Sequence, residues 1–393
     1  MENLSNSQGV LNIKPFQDNV IKVAYLIDTI SSDTAGTEKQ LLETIRRIDK
    51  NAFEVCLVCL RESDWMRNNE LPCSCYILSY QGFFSFSFPK VVRRLARIIG
   101  DKKIQIVQTF FEDSIFVAWA GSFFAKQPAV LLSSRRDMGL GNQNQPWYHR
   151  IYTLLLPLVN KRFSGIIANS QNVRQYAAKR EKTPAYKIKV IYNGTSIPER
   201  PSYIPSIFQK NKADIWIGVV ASLTPVKRHD LLIRAYSIIK MSIPESKIHI
   251  LFLGEGKERD KLQNLAKRLK VEQNIHFAGA VKDVAAYLYQ LDIGVLCSDR
   301  EGLSNAILEY MACGLPVVAT RAGGNTELVD NENGICVPAG DAITLADALL
   351  KLIGSKDLRK KMGAASIAKI KQSFSWHRTM TDLEAYYKLK ALF

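Results

Sequence analysis

From Ile21 the chain reads IKVAYLI, an unbroken apolar run, then the polar SSDTAG, then apolar positions at Leu41, Leu42, Ile45 and Ile48. A run without alternation predicts a strand buried on both faces, and spacings of three and four predict an amphipathic helix. Thr37 with Gln40 has the form of a capping box at the start of that helix. The pattern returns near Ile215: IWIGVVA predicts a strand and SLTPV a loop. KRHDLLIRAYSII then puts Leu231, Leu232, Ala235, Ile238 and Ile239 on one helical face. Two strand-loop-helix openings predict an α/β chain of two doubly wound parallel-sheet domains.

The second half keeps the rhythm. KIHILFLG, NIHFAG, DIGVLCS, GLPVVAT and NGICVP read as strands, with helical stretches around 259–269 and 284–289 between them. Between the halves, YNGTSIPERPSYIPSIFQKNKAD carries three prolines among turn formers, as a linker does. We therefore expect a first domain over residues 1–200 and a second over 201–375. The terminal helix, 376–393, is expected to pack back on the first, with Trp376, Leu383 and Tyr386 as anchors.

In such sheets ligands bind beyond the carboxyl ends of the strands, so the loops after Ala221, Leu253, Gly279 and Ser298 should share one edge. The last of these opens EGLSNAILE, with Glu301 and Glu309 at its ends. In one continuous helix those acids would be turned apart by roughly 80° and separated by about 12 Å along the axis, so they would not face each other. Ser304 or Asn305 can instead cap a helix over AILEYMAC that Gly314 and Pro316 end, leaving Glu301 in the loop. The amides of Gly302, Leu303, Ser304 and their neighbours would then lie between two carboxylates at a helix N-terminus, where an anion is favoured. Hydroxyl, phosphate, hydroxyl is the outline of a nucleotide sugar. Lys227, in the loop after the second domain's first strand, would bring a cation to the diphosphate.

EGLSNAILEYMACGLPVVATRAGGNTELV resembles the donor-site signature of the retaining, metal-independent family 4 glycosyltransferases, of the group 1 type. The likeness extends to VASLTPVKRHDLLIRA, LFLGEGKERDKL, HFAGAVKDVAAYL, YLIDTISSDTAGTEKQLL, ANSQNVRQYA and KIKVIYNG, and is weakest over 60–150. It implies the GT-B fold, two Rossmann-like domains facing a central cleft. It also implies a nucleoside diphosphate sugar as donor substrate, with no metal or other cofactor. Carried over by position, Glu301 would contact the donor hexose near the reacting carbon and Glu309 the ribose. Lys227 would hold the diphosphate; Gly302, Leu303 and Ser304 would hold sugar and phosphate through their amides. Gly36 would let the first domain's backbone approach the donor, with Gly254 on the donor side as well.

Two departures stand out. Ser222 occupies the place where many relatives have an arginine, which makes Arg228 and Arg321 candidates for the missing charge. The histidine that relatives often carry in the first domain falls here on Gln108 or Phe110. Asp113, Arg135, Arg136 and Asp137 are candidates for the acceptor side.

Charge sharpens this reading. Of the net +16, ten arise in residues 1–200, where 27 Lys and Arg face 17 Asp and Glu. No acid occurs between Leu71 and Gly100, and KVVRRLARII follows GFFSFSF. Aromatics beside a basic amphipathic helix fit peripheral contact of residues 83–103 with an anionic membrane, or a core helix with a solvated basic face. No zinc finger, RNP signature or basic zipper supports a nucleic-acid partner. Cys56, Cys59, Cys73 and Cys75 lack zinc-site spacing, so we read them as strand cysteines. No apolar run reaches the length of a membrane span, and the polar N-terminus lacks a signal-peptide pattern. The expectation is a cytoplasmic protein, peripheral at the inner face of the membrane. It would move a hexose with retention onto an acceptor hydroxyl, which can be lipid-linked, in polysaccharide or glycolipid synthesis. A nucleotide-sugar epimerase, a glycosidase and a basic binding module are the rival readings.

Overall fold

A computed structural model describes residues 20–137, 148–208 and 214–392. The apolar runs form two sheets, each parallel throughout. The first comprises β1 (Ile21–Ile27), β2 (Phe53–Cys59), β3 (Cys75–Ile77), β4 (Ile106–Thr109), β5 (Val130–Arg135), β6 (Gly165–Ala168) and β7 (Ile188–Val190). The second comprises β8 (Ile215–Val220), β9 (Ile248–Leu253), β10 (Ile275–Gly279), β11 (Ile293–Leu296), β12 (Val317–Thr320) and β13 (Gly334–Val337). Their orders, β3-β2-β1-β4-β5-β6-β7 and β10-β9-β8-β11-β12-β13, reverse beside β1 and beside β8. Helices cover both faces, so β1 and β8 are buried almost end to end, which is why neither alternates in sequence.

The helix Gly36–Arg47 buries Leu41, Leu42 and Ile45 against the first sheet. Its start differs from the capping box read in the sequence. Ala35 is the N-cap and makes no side-chain cap, and the Gln40 amide reaches instead to the Gly194 carbonyl at 2.9 Å. Glu38 orders the preceding loop, accepting from the Ser31 hydroxyl at 3.0 Å and the Ser32 amide at 3.1 Å. All seven cysteines are free, with Cys56 and Cys59 buried in β2.

The chain crosses between domains twice, side by side. Thr195 on the way out donates its amide to the Phe374 carbonyl at 2.9 Å on the way back, where a π-helical turn, Ile370–Phe374, leads into the last helix. That helix, Trp376–Lys390, lies on the first domain: Trp376, Met380, Leu383 and Tyr387 join the core under β1 and β4. Gly194 is in such close contact that a Cβ there would stand 2.6 Å from the Trp376 ring. The Tyr387 hydroxyl donates to the Gln108 carbonyl oxygen, and the Gln108 amide donates to the Ser134 hydroxyl at 2.7 Å.

A second buried polar knot binds the far side of the sheet. The Arg135 guanidinium donates to both oxygens of Glu181, at 2.8 and 3.0 Å, and to Asn160 at 3.2 Å. Asn160 in turn donates to Glu181 and Thr183. Every partner of the ion pair is itself hydrogen-bonded, which is what makes burial of the two charges tolerable.

Two stability experiments follow. Trp376→Ala removes the anchor of the last helix and should cost about 3–5 kcal/mol in urea unfolding, with the first domain losing protection. Glu181→Ala strands a buried guanidinium and should cost about 3–5 kcal/mol, whereas Arg135→Met with Glu181→Leu should cost far less, because both charges leave together.

Candidate active site

Because strand order reverses beside β8, the loops after β8 and β11 emerge next to each other at the sheet's carboxyl edge. The corresponding edge of the first sheet faces it, and a cleft of about 1060 Å³ lies between. Lys227 comes from the loop after β8 and Glu301 from the loop after β11. Their Nζ and Oε1 are 2.6 Å apart, with the carboxylate largely shielded from water.

Ser304 caps the helix Asn305–Ala312, its hydroxyl accepting from the Ile307 amide at 3.3 Å. The Ser304 side chain is thereby spent on the helix, and Leu303 points into the core, so these two residues meet the cleft mainly through backbone. Gly302 comes so close to the first domain that a Cβ would stand 2.0 Å from the Arg136 carbonyl oxygen. Gly254 has φ +146°, and a Cβ there would meet the Ala221 carbonyl at 2.1 Å. Gly36 and Ser222 also line the cleft.

Glu309 stands one helical turn further in. Its Oε1 accepts from Lys39 Nζ of the opposite domain at 2.6 Å, a partner that no motif or spacing marks in the chain. Three more contacts of this kind close the two walls on each other. The Asn305 amide donates to the Gly36 carbonyl at 3.0 Å, and the Asn193 amide donates to Asn305 Oδ1 at 2.8 Å. Glu327 accepts from the amides of Gln171 and Asn172 at 2.9 and 3.0 Å and from the Tyr192 hydroxyl at 2.9 Å. A carboxylate of one domain thus sits on a helix N-terminus of the other, the favourable end for a negative charge. Burial and that carboxylate push the Tyr192 phenol up to about 12.

Several expected site residues lie elsewhere. Arg228 adopts a left-handed backbone, φ 48°, which turns its guanidinium away from the cleft to Asp230 at 3.0 Å and Asp299 at 3.2 Å. Arg321 donates to the Cys336 carbonyl at 3.3 Å and does not line the cleft. Arg135 is held in the knot with Glu181. Asp113 is taken by Arg61 at 3.1 Å and the Tyr152 hydroxyl at 2.9 Å. The neighbouring Asp28 is pushed up to about 6, by burial first and then by Asp113. Of the acceptor-side candidates, Asp137 and Arg136 do line the cleft.

At the positions where a histidine was expected, Gln108 belongs to the core network with Tyr387, and Phe110 is buried beneath the Arg136 guanidinium, 5.6 Å from its ring centre. His229, beside Lys227 in the chain, is buried edge-on to Phe252, and burial pushes its imidazole down to about 4. It is a neutral packing group. Among the described residues no cluster of three or more His, Cys, Asp or Glu forms a metal-ligand set. None of their helices is long and apolar enough to cross a membrane.

Residues 34–197 match a family described as Glycosyltransferase Family 4, and residues 214–355 match one described as Glycosyl transferases group 1. N-acetyl-alpha-D-glucosaminyl L-malate synthase of Bacillus anthracis is 28% identical over 169 residues, 43% of this chain and 44% of that protein. The chain therefore spans less than half the length of this curated relative. A longer match, 23% identical over 340 residues, covers 83% of this chain and 89% of N-acetylgalactosamine-N,N'-diacetylbacillosaminyl-diphospho-undecaprenol 4-alpha-N-acetylgalactosaminyltransferase of Campylobacter jejuni. The crystal structure of Anabaena HepE in complex with UDP superposes with a TM-score of 0.77 at 21% identity, covering 94% of this chain and 100% of that one. The fold is GT-B, and none of these relatives is an epimerase. The two family matches take in both domains and both walls of the cleft, and the chain belongs to the group 1, family 4 glycosyltransferases.

Proposed function

We propose that the protein transfers a hexose from a nucleoside diphosphate sugar to an acceptor hydroxyl with retention of configuration. The observation that carries this reading is the ordered wall formed by Lys227, Glu301, the amides from Gly302 to Ala306, and Glu309. It offers a carboxylate, then a cation with a helix N-terminus, then a second carboxylate, matching the sugar hydroxyls, diphosphate and ribose hydroxyls of a nucleotide sugar. An ammonium has three donors and Lys227 gives one to Glu301, so two are free for diphosphate oxygens. Glu309 would take the ribose hydroxyls in exchange for Lys39.

In the proposed reaction the bond between the anomeric carbon and the diphosphate oxygen breaks as negative charge grows on that oxygen. Lys227 and the helix N-terminus stabilise the growing charge. The acceptor hydroxyl attacks from the same face, its oxygen bonds to the anomeric carbon, and its proton passes to the departing phosphate oxygen. The residues are thereby asked mainly for alignment and charge stabilisation, and no metal ion enters the scheme.

The acceptor would enter over the first domain and be lipid-linked, in cell-surface polysaccharide or glycolipid synthesis. The Campylobacter relative, whose name gives a diphospho-undecaprenol acceptor, supports this reading. So does the first domain's outer layer, where the exposed Phe84 and Phe86 precede the helix Phe88–Asp101. That helix presents Arg93, Arg94 and Arg97 to solvent while Val91, Leu95 and Ile99 face the core. Rings at headgroup level and cations facing phosphate would hold a cytoplasmic enzyme at an anionic membrane face.

The donor half is tested by calorimetric titration with UDP, GDP and ADP and their sugars, UDP first because the Anabaena structure contains it. One of them should bind. Lys227→Ala should lower kcat by about 100-fold or more, Glu309→Ala should act mainly on donor KM, and proton NMR of the product should show the donor's anomeric configuration. Absence of binding by any sugar nucleotide, or an inverted product, overturns the reading at the corresponding step. The membrane half is tested by flotation with phosphatidylglycerol vesicles: the parent should float with them, and Phe86→Ser with Arg94→Glu should stay behind. Equal flotation of both, or none by the parent, removes the membrane from the proposal.

A further inference from the structure

Ser222 leaves the diphosphate wall one cation short of the pattern it resembles, and neither Arg228 nor Arg321 reaches the cleft. Across the cleft, the first residue beyond β5 does. Arg136 lines the cleft with its backbone against Gly302, and its carbonyl oxygen accepts from the Asn169 amide at 3.1 Å. The guanidinium donates from Nη1 to Asn193 Oδ1 at 2.6 Å and lies over the Phe110 ring. Its Nε is shut off from water and meets no acceptor, and no carboxylate among the described residues pairs with it. Burial pushes the group down to about 10, which still leaves it a full cation at neutral pH. An uncompensated cation taken largely out of water is costly, and Arg135, one residue earlier, has by contrast a complete set of partners.

The cation is also held in place. Asn193, which accepts from Arg136, donates to Asn305 at the first turn of the helix that opens the diphosphate wall, and Asn305 donates to Gly36. The chain of amides fixes the guanidinium relative to the helix N-terminus in the opposite domain. On a residue that lines the cleft, a planar fork with Nη1 spent on Asn193, Nη2 unspent and no counter-ion of its own is suited to a phosphate oxygen.

We infer that Arg136 is the missing anion-binding residue of the cleft, supplied from the first domain, and that its ligand is a phosphate group of a bound substrate. The inference rests on the proposed function, since it presumes a nucleotide-sugar cleft. The phosphate can belong to the donor's diphosphate or to a phosphorylated acceptor.

The test uses the full chain, with Arg136→Gln, Arg136→Met and Arg136→Lys, titrated with UDP, UMP and inorganic phosphate; GDP and GMP or ADP and AMP replace the uridine pair if the parent prefers them. If the ligand is the donor's diphosphate, Arg136→Gln weakens the diphosphate by about 10- to 100-fold and leaves the monophosphate nearly unchanged. If it is an acceptor phosphate, nucleotide affinities hold. Inorganic phosphate then binds the nucleotide-saturated parent and no longer binds the variant. Arg136→Lys, which keeps charge and loses the fork, should fall between parent and Arg136→Gln. Arg136→Met should unfold at the parent's temperature or above it when ligand-free, because it removes an unpaired charge, so lost affinity is not lost fold. If the parent binds a nucleoside diphosphate and the variants bind it and phosphate equally well, the inference is overturned while the proposed function stands. A parent that binds no nucleotide fails the functional reading itself.

Discussion

The 2.6 Å contact between Lys227 and Glu301 sets the terms for the rest of the cleft. Each residue comes from a short loop after one of two neighbouring strands, and the strands are neighbours because the sheet order reverses there. The contact therefore depends on the topology of the whole second domain. It also limits what each group can do: the ammonium cannot drift toward solvent, and the carboxylate meets a ligand already compensated. A fixed cation beside an opening helix would cost little reorganisation on binding the proposed diphosphate, which is the condition under which electrostatic stabilisation is most effective.

Beside the Tyr192 ring on Phe374, the domains meet through a set of polar contacts. Glu327 on the helix Gln171–Arg180, Asn305 on Gly36, and Lys39 on Glu309 are all groups that water can replace. An apolar seam of the same extent would resist opening, whereas contacts of this kind can exchange with solvent. Lys39 and Glu309 illustrate the exchange. Both are partly exposed, so their ion pair contributes little to stability. A ribose diol that displaced Lys39 would meet a carboxylate already pointing into the cleft.

What could be read from the chain alone divides along physical lines. The strands IKVAYLI and IWIGVVA and the helix capped by Ser304 are specified by their own residues, and the structure has them at those positions. Side-chain direction was not legible. SSRR identifies a strand end, but successive residues leave a strand on opposite sides, so Arg135 enters the knot with Glu181 while Arg136 reaches the cleft. Lys227 and Arg228 part for a related reason, the left-handed φ at Arg228. The capping box at Thr37 failed because Gln40 had a better acceptor in Gly194, 154 residues on. Lys39 gave no signal at all, since its partner lies 270 positions away.

The two walls of the cleft are made of different material, and this explains why one carries a motif and the other does not. The second-domain wall is largely backbone: Gly254 and Gly302 are required because another main chain occupies the space a Cβ would take, and the amides between Glu301 and Asn305 are positioned by a helix start. Such a wall tolerates few residue types, so its sequence is recognisable. The opposite wall uses side chains, Lys39 on the helix Gly36–Arg47 and Arg136, Asp137 and Asn193 on strand-end loops. Side chains can be exchanged without moving the backbone that carries them. A wall of that kind can change its side chains while the backbone wall facing it stays as it is, and residues 60–150, which carry no motif of their own in the sequence, lie within the Glycosyltransferase Family 4 match over 34–197.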